Sequence, residues 1–188
     1  MVKIDFNDES FKGFSVEEDI LVDTGIILAY LSKYDTWHKT VNELFTNHIF
    51  NNDKAVFLYI NPCILNEVMH ITTVTKKCIS EYLKKHPEIS LTKQEKEEIE
   101  SNTVQSMKIL IDKEILIPLE AGKETYLKQI ETCKYLGSAD AFNASLANEY
   151  GISFLTVDNK LVTNIENNIT YFKDIDKIYY TTNAHIEY

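Results

Sequence analysis

The stretch that most constrains this chain runs from Leu136 to Lys160, LGSADAFNASLANEYGISFLTVDNK. It reads as a helix, a turn and a strand. Ser138 stands where an N-cap is expected, which places Asp140 in the first helical turn. Ala139, Ala141, Ala144 and Ala147 are small enough to let that helix lie close to a sheet. Asn143 falls one turn after Asp140, on the same face. Gly151 is positioned to end the helix. Ile152 to Val157 is then an apolar, β-branched run suited to a buried strand, and Asp158 follows it at once. Two carboxylates, Asp140 and Asp158, are thereby delivered by rigid elements to one end of a sheet.

The same grammar occurs earlier. Ile20-Leu21-Val22 is an apolar strand, Asp23 follows it, and Thr24-Gly25 turns into a helix over 26–33. A helix from Trp37 to about Phe50 keeps its apolar residues at a 3.6-residue period, with Asp35 or Thr36 as its cap. Asn51-Asn52-Asp53 reads as a turn and Ala55 to Ile60 as a second strand. Asn61-Pro62 starts a helix that carries Glu67 and is expected to run to Lys85, where His86-Pro87 stops it. Another helix is capped near Thr92 and continues through Ile111. Ile115 to Ile117 is a third strand, residues 123–135 a helix, 160–166 a short helix and 170–173 a final strand. The aromatic tail KIYYTTNAHIEY reads as an edge strand or a docking segment. Alternating strands and helices predict an α/β fold: a three-layer α/β/α sandwich on a mainly parallel sheet of about five strands. Ligands of such sheets sit at the carboxyl ends of strands, at the topological switch point. Asp23 and Asp158 are both strand-end residues, so neighbouring strands would turn both into one cleft.

Composition sets the outer limits. At 188 residues and 44% hydrophobic content, the expectation is one domain over 1–188 with a full core. Residues 1–18 read as an N-terminal extension, and 76–112 as an extended helical insertion. The net charge of −10 argues against sequence-blind coating of DNA, yet clustered carboxylates awaiting a cation would contribute to that sum. No apolar run approaches the roughly eighteen residues a membrane span needs. The N-terminus lacks a signal-peptide core, and Cys63, Cys78 and Cys133 form no C-x-x-C, which together predict a cytoplasmic protein with reduced thiols.

Four acidic residues stand in otherwise apolar contexts: Asp23, Glu67, Asp140 and Asp158. No arginine or lysine recurs beside all four. Carboxylates gathered without cations repel one another and take up protons. A divalent cation resolves the conflict, and hard oxygen ligands suit Mg²⁺ or Mn²⁺. A nucleic-acid phosphate could complete the coordination, as in metal-dependent phosphodiester hydrolysis. Other chemistries lack support. Glu67 and His70 form one E-x-x-H without a second copy, Ser138 and Ser145 have no histidine partner, and no glycine-rich phosphate loop exists. Nor does the first strand carry the D-x-D-x-T of haloacid-dehalogenase-type phosphatases.

With those residues in view, the chain resembles the PIN-domain ribonucleases, the family of many bacterial toxins of toxin–antitoxin pairs, such as VapC-like toxins. The matching segments are ILVDTG with Asp23, LNEV with Glu67, SADAFNASLA with Asp140, and FLTVDNK with Asp158, spanning roughly residues 19–175. The resemblance implies a five-stranded α/β/α sandwich and metal-dependent cleavage of single-stranded RNA. It makes the four carboxylates the catalytic and metal-binding set for Mg²⁺ or Mn²⁺, with Thr24, Asn143 and Thr156 as supporting polar residues. It also implies an antitoxin partner and frequent homodimers, here expected through apolar helix faces near Trp37–Phe50 or the aromatic tail. Lys76, Lys77, Lys84, Lys85 and Lys160 are the residues expected to contact RNA phosphates. The alternative is a non-catalytic PIN-like module that binds RNA or protein.

Overall fold

The computed structural model describes residues 1–51 and 55–182. Six strands form one sheet: β1 (Val2–Asp5), β2 (Glu18–Val22), β3 (Val56–Ile60), β4 (Leu116–Pro118), β5 (Ser153–Leu155) and β6 (Lys177–Tyr180). Their order is β1-β6-β5-β2-β3-β4, and all five neighbouring pairs are parallel. Ile20, Leu21 and Val22 are wholly buried at the centre, as a continuous apolar run in a parallel sheet requires.

Eight α-helices complete the described architecture: α1 (Thr24–Leu31), α2 (His38–Phe45), α3 (Pro62–Met69), α4 (Lys77–Lys85), α5 (Lys93–Asp112), α6 (Lys123–Leu136), α7 (Ser138–Tyr150) and α8 (Asn159–Asn167). From β2 the chain steps outward to β3 and β4, then returns to the other side of β2 as β5. Right-handed crossovers put α1 to α5 on one face and α6 to α8 on the other. Within each group α1 touches α3 and α5, and α6 touches α7 and α8; α3 and α7 also meet, where Asn61 bonds Asn143. The reversal between β2 and β5 is the switch point.

The structure departs from the sequence expectation at several elements. The sheet has six strands rather than about five, because Val2–Asp5 pairs with Lys177–Tyr180. Residues within the expected N-terminal extension are thus built into the sheet, and Phe6 and Phe14 are core residues. The stretch expected as the last strand holds a 3₁₀ turn at Ile169–Tyr171, and the strand follows at Lys177–Tyr180, inside the sheet rather than at its edge. The long helix expected from Pro62 to Lys85 breaks. After Met69 the β-branched run His70–Thr75 winds as a π-helical turn, and Lys76 adopts a left-handed backbone (φ 51°) before α4 begins. A second π-helical turn, Thr46–Phe50, ends the helix that starts at His38. Thr92 caps α5 in a reciprocal capping box with Glu95. On the face near Trp37–Phe50 expected for self-association, Val41, Leu44 and Phe45 are buried and Phe50 is exposed. An exposed apolar stripe lies on α6, at Tyr126, Leu127 and Ile130. Part of the expected 51–53 turn and the tail beyond Thr182 lie outside the described residues. No helix among the described residues is long and apolar enough to cross a membrane. The three cysteines are unpaired, with Cys63 and Cys78 half-buried and Cys133 exposed.

A buried ionic network ties β2, β5 and β6 together. Glu18, 7% exposed, accepts hydrogen bonds from the Ser15 backbone N–H (2.7 Å), Ser153 Oγ (2.7 Å), Lys177 Nζ (2.8 Å) and Tyr179 Oη (2.9 Å). Burial alone would push its pKa up. Lys177, Ser153, Ser15 and Tyr179 together outweigh burial and hold the carboxyl below the ordinary glutamate range. Its stabilising contribution is therefore complete above that range and is lost as pH falls through its depressed folded value. Glu18→Ala leaves the Ser153 and Tyr179 hydroxyls without their acceptor and leaves Lys177 with Asp176 as its one carboxylate among the described residues, and should cost about 3 kcal/mol in urea unfolding at neutral pH. The loss should shrink in acid, where the parent is protonated as well. A change near zero at neutral pH would show that the network is incidental.

Candidate active site

The switch point is built by helix caps. Asp23 ends β2 and caps α1, accepting the Thr24 N–H through Oδ1 at 2.8 Å. Asp158 follows β5 and caps α8, accepting the Lys160 and Leu161 N–H groups through Oδ1 at 2.8 and 3.0 Å. Each carboxylate thus gains from the positive end of a helix. Thr156 bridges the two: its Oγ1 donates to Asp23 Oδ2 at 2.6 Å and accepts from the Asp158 N–H at 3.0 Å. Gly25 allows α1 to begin this close to β5, since a Cβ there would lie 3.0 Å from Val157 Cγ2.

Glu67 reaches the same place from α3, where its Oε2 accepts the Thr24 hydroxyl at 2.8 Å. Asp140 arrives in the first turn of α7, whose cap is Gly137 (φ 92°) rather than Ser138. All four carboxylates line one cleft of about 430 Å³. Asp23 is buried, Asp140 half-buried and Asp158 exposed. Among the described residues, Asp140 accepts no hydrogen bond from the protein.

The electrostatics follow from this placement. Burial, chiefly, pushes the Asp23 carboxyl up to about 7, aided by the charges of Asp140 and Glu67 and opposed by the Thr156 and Thr24 hydrogen bonds. Burial, then Asp158 and Glu67, push Asp140 up to about 6, with Lys160 opposing. Crowded acids without a counterion behave in this way. The donor set is all hard oxygen and so suits Mg²⁺ or Mn²⁺, and the unpartnered Asp140 carboxylate in a negative field is a group that a cation would satisfy. As the side chains stand, no three His, Cys, Asp or Glu among the described residues are close enough to grasp one ion together.

The supporting residues divide. Thr24 and Thr156 touch the carboxylates directly. Asn143 does not: it is buried on α7, its Oδ1 accepts from Asn61 Nδ2 at 2.9 Å, and its own Nδ2 is unpartnered. Asn61, which caps α3 through its Oδ1, is the residue that Asn143 meets. Two acids that sequence reasoning missed, Asp35 and Glu81, also line the cleft. Their neighbour Cys78 has its thiol pushed up to about 12 by burial and Asp35, so it stays neutral. Of the expected RNA-contacting lysines, Lys77 lines the cleft and Lys160 feels Asp140. Lys76 is instead committed to Glu100 at 2.7 Å. Lys84 is exposed, and Lys85 lines a neighbouring cavity.

No protein-family model and no curated protein matches the chain. Solved structures do, FitAcB and FitAB among them. FitAcB from Neisseria gonorrhoeae is 15% identical, covers 89% of this chain and 99% of its own, and superposes with a TM-score of 0.51. FitAB bound to an IR36 DNA fragment is 15% identical, covers 90% of this chain and 98% of its own, with a TM-score of 0.50. At that identity the likeness shows the fold, which is PIN-like.

Raised carboxyl pKa values make a stability prediction. The folded chain binds protons at Asp23 and Asp140 that the unfolded chain releases above about pH 4, so metal-free stability falls as pH rises from about 4 to about 7. The slope reaches at most about 1.4 kcal/mol per pH unit for each titrating group. Urea unfolding with a chelator present should show this decline, and Asp140→Asn should flatten it. Superimposable profiles for parent and variant would contradict the electrostatic account of the cleft.

Proposed function

We propose that the protein is a Mg²⁺- or Mn²⁺-dependent endoribonuclease that cuts single-stranded RNA, in the manner of the toxin of a toxin–antitoxin pair. The observation that carries this reading is the meeting of Asp23, Glu67, Asp140 and Asp158 in one cleft at the switch point, with Asp140 left without a protein donor. The PIN-like fold shared with FitAcB and FitAB supports it.

In this reading the four carboxylates hold the cation. When bound, it supplies positive charge for the scissile phosphate and a water of lowered pKa. The protein's own part is positioning. Thr156 holds the Asp23 carboxylate, Thr24 holds that of Glu67, and the Lys160 and Leu161 N–H groups hold that of Asp158, so three carboxylates keep their orientation as substrate enters. Asp140, free of such ties, is the carboxylate able to move toward the reacting centre. The partners are single-stranded RNA, an antitoxin and a second copy of the chain. A chain of net charge −10 would approach DNA through a basic partner rather than by its own surface.

The second reading is a PIN-like module that binds RNA or protein without cutting. What favours it is that no three acids stand within common reach of an ion. One experiment separates the two. Purified protein with Mn²⁺ should cut an unstructured RNA, and a chelator should stop it. Asp140→Asn should lower cleavage at least about a hundredfold, the scale of roughly 3 kcal/mol of lost electrostatic stabilisation. Mn²⁺ should also raise the melting temperature of the parent more than that of the variant. If the parent gains nothing from Mn²⁺ and cuts no RNA, the module reading replaces the nuclease.

A further inference from the structure

A second cavity, of about 410 Å³, opens beside the carboxylate cleft. The two share a wall, because Asp35 and Thr36 line both. Their chemistry is opposite. The second is lined by Lys33, Lys39 and Lys85 and by the rings of Tyr34, Tyr82 and His86. Tyr82 on α4 and His86, the residue that caps its C-terminus, have ring centres 4.4 Å apart, and Tyr34 meets Tyr82 edge-on at 5.1 Å. All three rings are partly exposed. Lys33 lies 5.3 Å over the Tyr34 ring, and Lys85 Nζ donates to Thr36 Oγ1 at 3.2 Å. Among the described residues none of the three lysines has a carboxylate within 4.0 Å, in a chain with ten more acids than bases. Asp35 is the cavity's one carboxylate, and it already accepts the Trp37 N–H at 2.8 Å and faces the Cys78 thiol at 3.6 Å.

Three solvent-exposed cations without a carboxylate partner, set around part-exposed rings, present positive charge that a polyanion can meet. Positive charge that follows a backbone, next to rings that accept a base face, is the recognition chemistry of a single strand. We propose that this cavity seats the nucleotides flanking the scissile phosphate of a single-stranded RNA. Lys33, Lys39 and Lys85 take backbone phosphates, and the Tyr34–Tyr82–His86 set stacks a base. The strand then runs over the Asp35–Thr36 wall into the acidic cleft. This inference rests on the ribonuclease reading for the identity of the strand. It also gives an acidic protein a local means of holding a polyanion next to its own carboxylates.

The test is binding, read separately from cleavage. Fluorescence anisotropy of a labelled unstructured RNA, with a chelator present to prevent cutting, is followed over a salt series. Lys33→Gln, Lys39→Gln and Lys85→Gln combined should weaken binding at least about tenfold and reduce the log–log salt slope by about 2, as loss of three phosphate contacts on a single strand requires. Tyr82→Leu should weaken binding by about fivefold or more while leaving the salt slope unchanged. The lysine variant should keep the parent's melting temperature and its Mn²⁺-induced rise, because all four cleft carboxylates are intact. Parental affinity and salt slope in the lysine variant would overturn the inference, as would a parent that binds no RNA. A parent that binds RNA through these lysines yet gains nothing from Mn²⁺ would sink the nuclease reading and leave the RNA site standing.

Discussion

The hydrogen bonds of Thr156 hold this structure's chemistry in place. One donates to Asp23 and one is accepted from the Asp158 backbone, so the ends of β2 and β5 are locked where the sheet reverses direction. The lock lets two carboxylates cap two separate helices and still face a common cleft. Without it, mutual repulsion would favour side chains that swing apart into solvent. The structure tolerates the crowding because each acid but Asp140 is given donors: helix N–H groups for Asp23 and Asp158, and hydroxyls for Asp23 and Glu67. Asp140 carries the unrelieved part of that repulsion. An acid held in that state gains most from a cation.

Charge is distributed by position rather than by sum. The net −10 suggests a protein that would repel RNA, yet much of the negative charge at the switch point belongs to the proposed cation. Just beyond the Asp35–Thr36 wall the sign reverses at Lys33, Lys39 and Lys85. A polyanion led along that boundary meets attraction first and the carboxylate cleft second. The break at Lys76 has a part in this. The left-handed residue costs roughly 1 kcal/mol against a regular helix, but it starts α4 as a new helix, the one that carries Tyr82 and Lys85 and ends at the His86 cap.

The repeated strand–Asp–helix pattern was readable because each part has a local cause. An apolar run makes a central strand, and a carboxylate at its end satisfies the next helix. From those rules Asp23 and Asp158 follow, as do Pro62 starting α3 and Thr92 capping α5. The failures share a different cause. Val2–Asp5 is a short, half-exposed edge strand specified by partners far along the chain: backbone pairing with a segment 175 positions away and the Lys3–Glu166 ion pair. Asn143 meets Asn61 across 82 residues, a contact with no local signature. Lys76 was expected to pair with phosphate and pairs with Glu100 on α5, which depends on how two helices pack. The basic cavity was invisible for the same reason. Its lysines come from the loop after α1, from α2 and from α4, which meet only in the folded chain.

The central claim is that the four carboxylates form one cation site. Anomalous X-ray scattering from crystals soaked in Mn²⁺ tests it most directly. The account predicts a manganese peak within coordinating reach of Asp140 and at least one of Asp23, Glu67 and Asp158, with the side chains drawn together around it. It also predicts that the peak is lost in Asp140→Asn crystals. Manganese bound only elsewhere, or a bare cleft under saturating Mn²⁺, would contradict it.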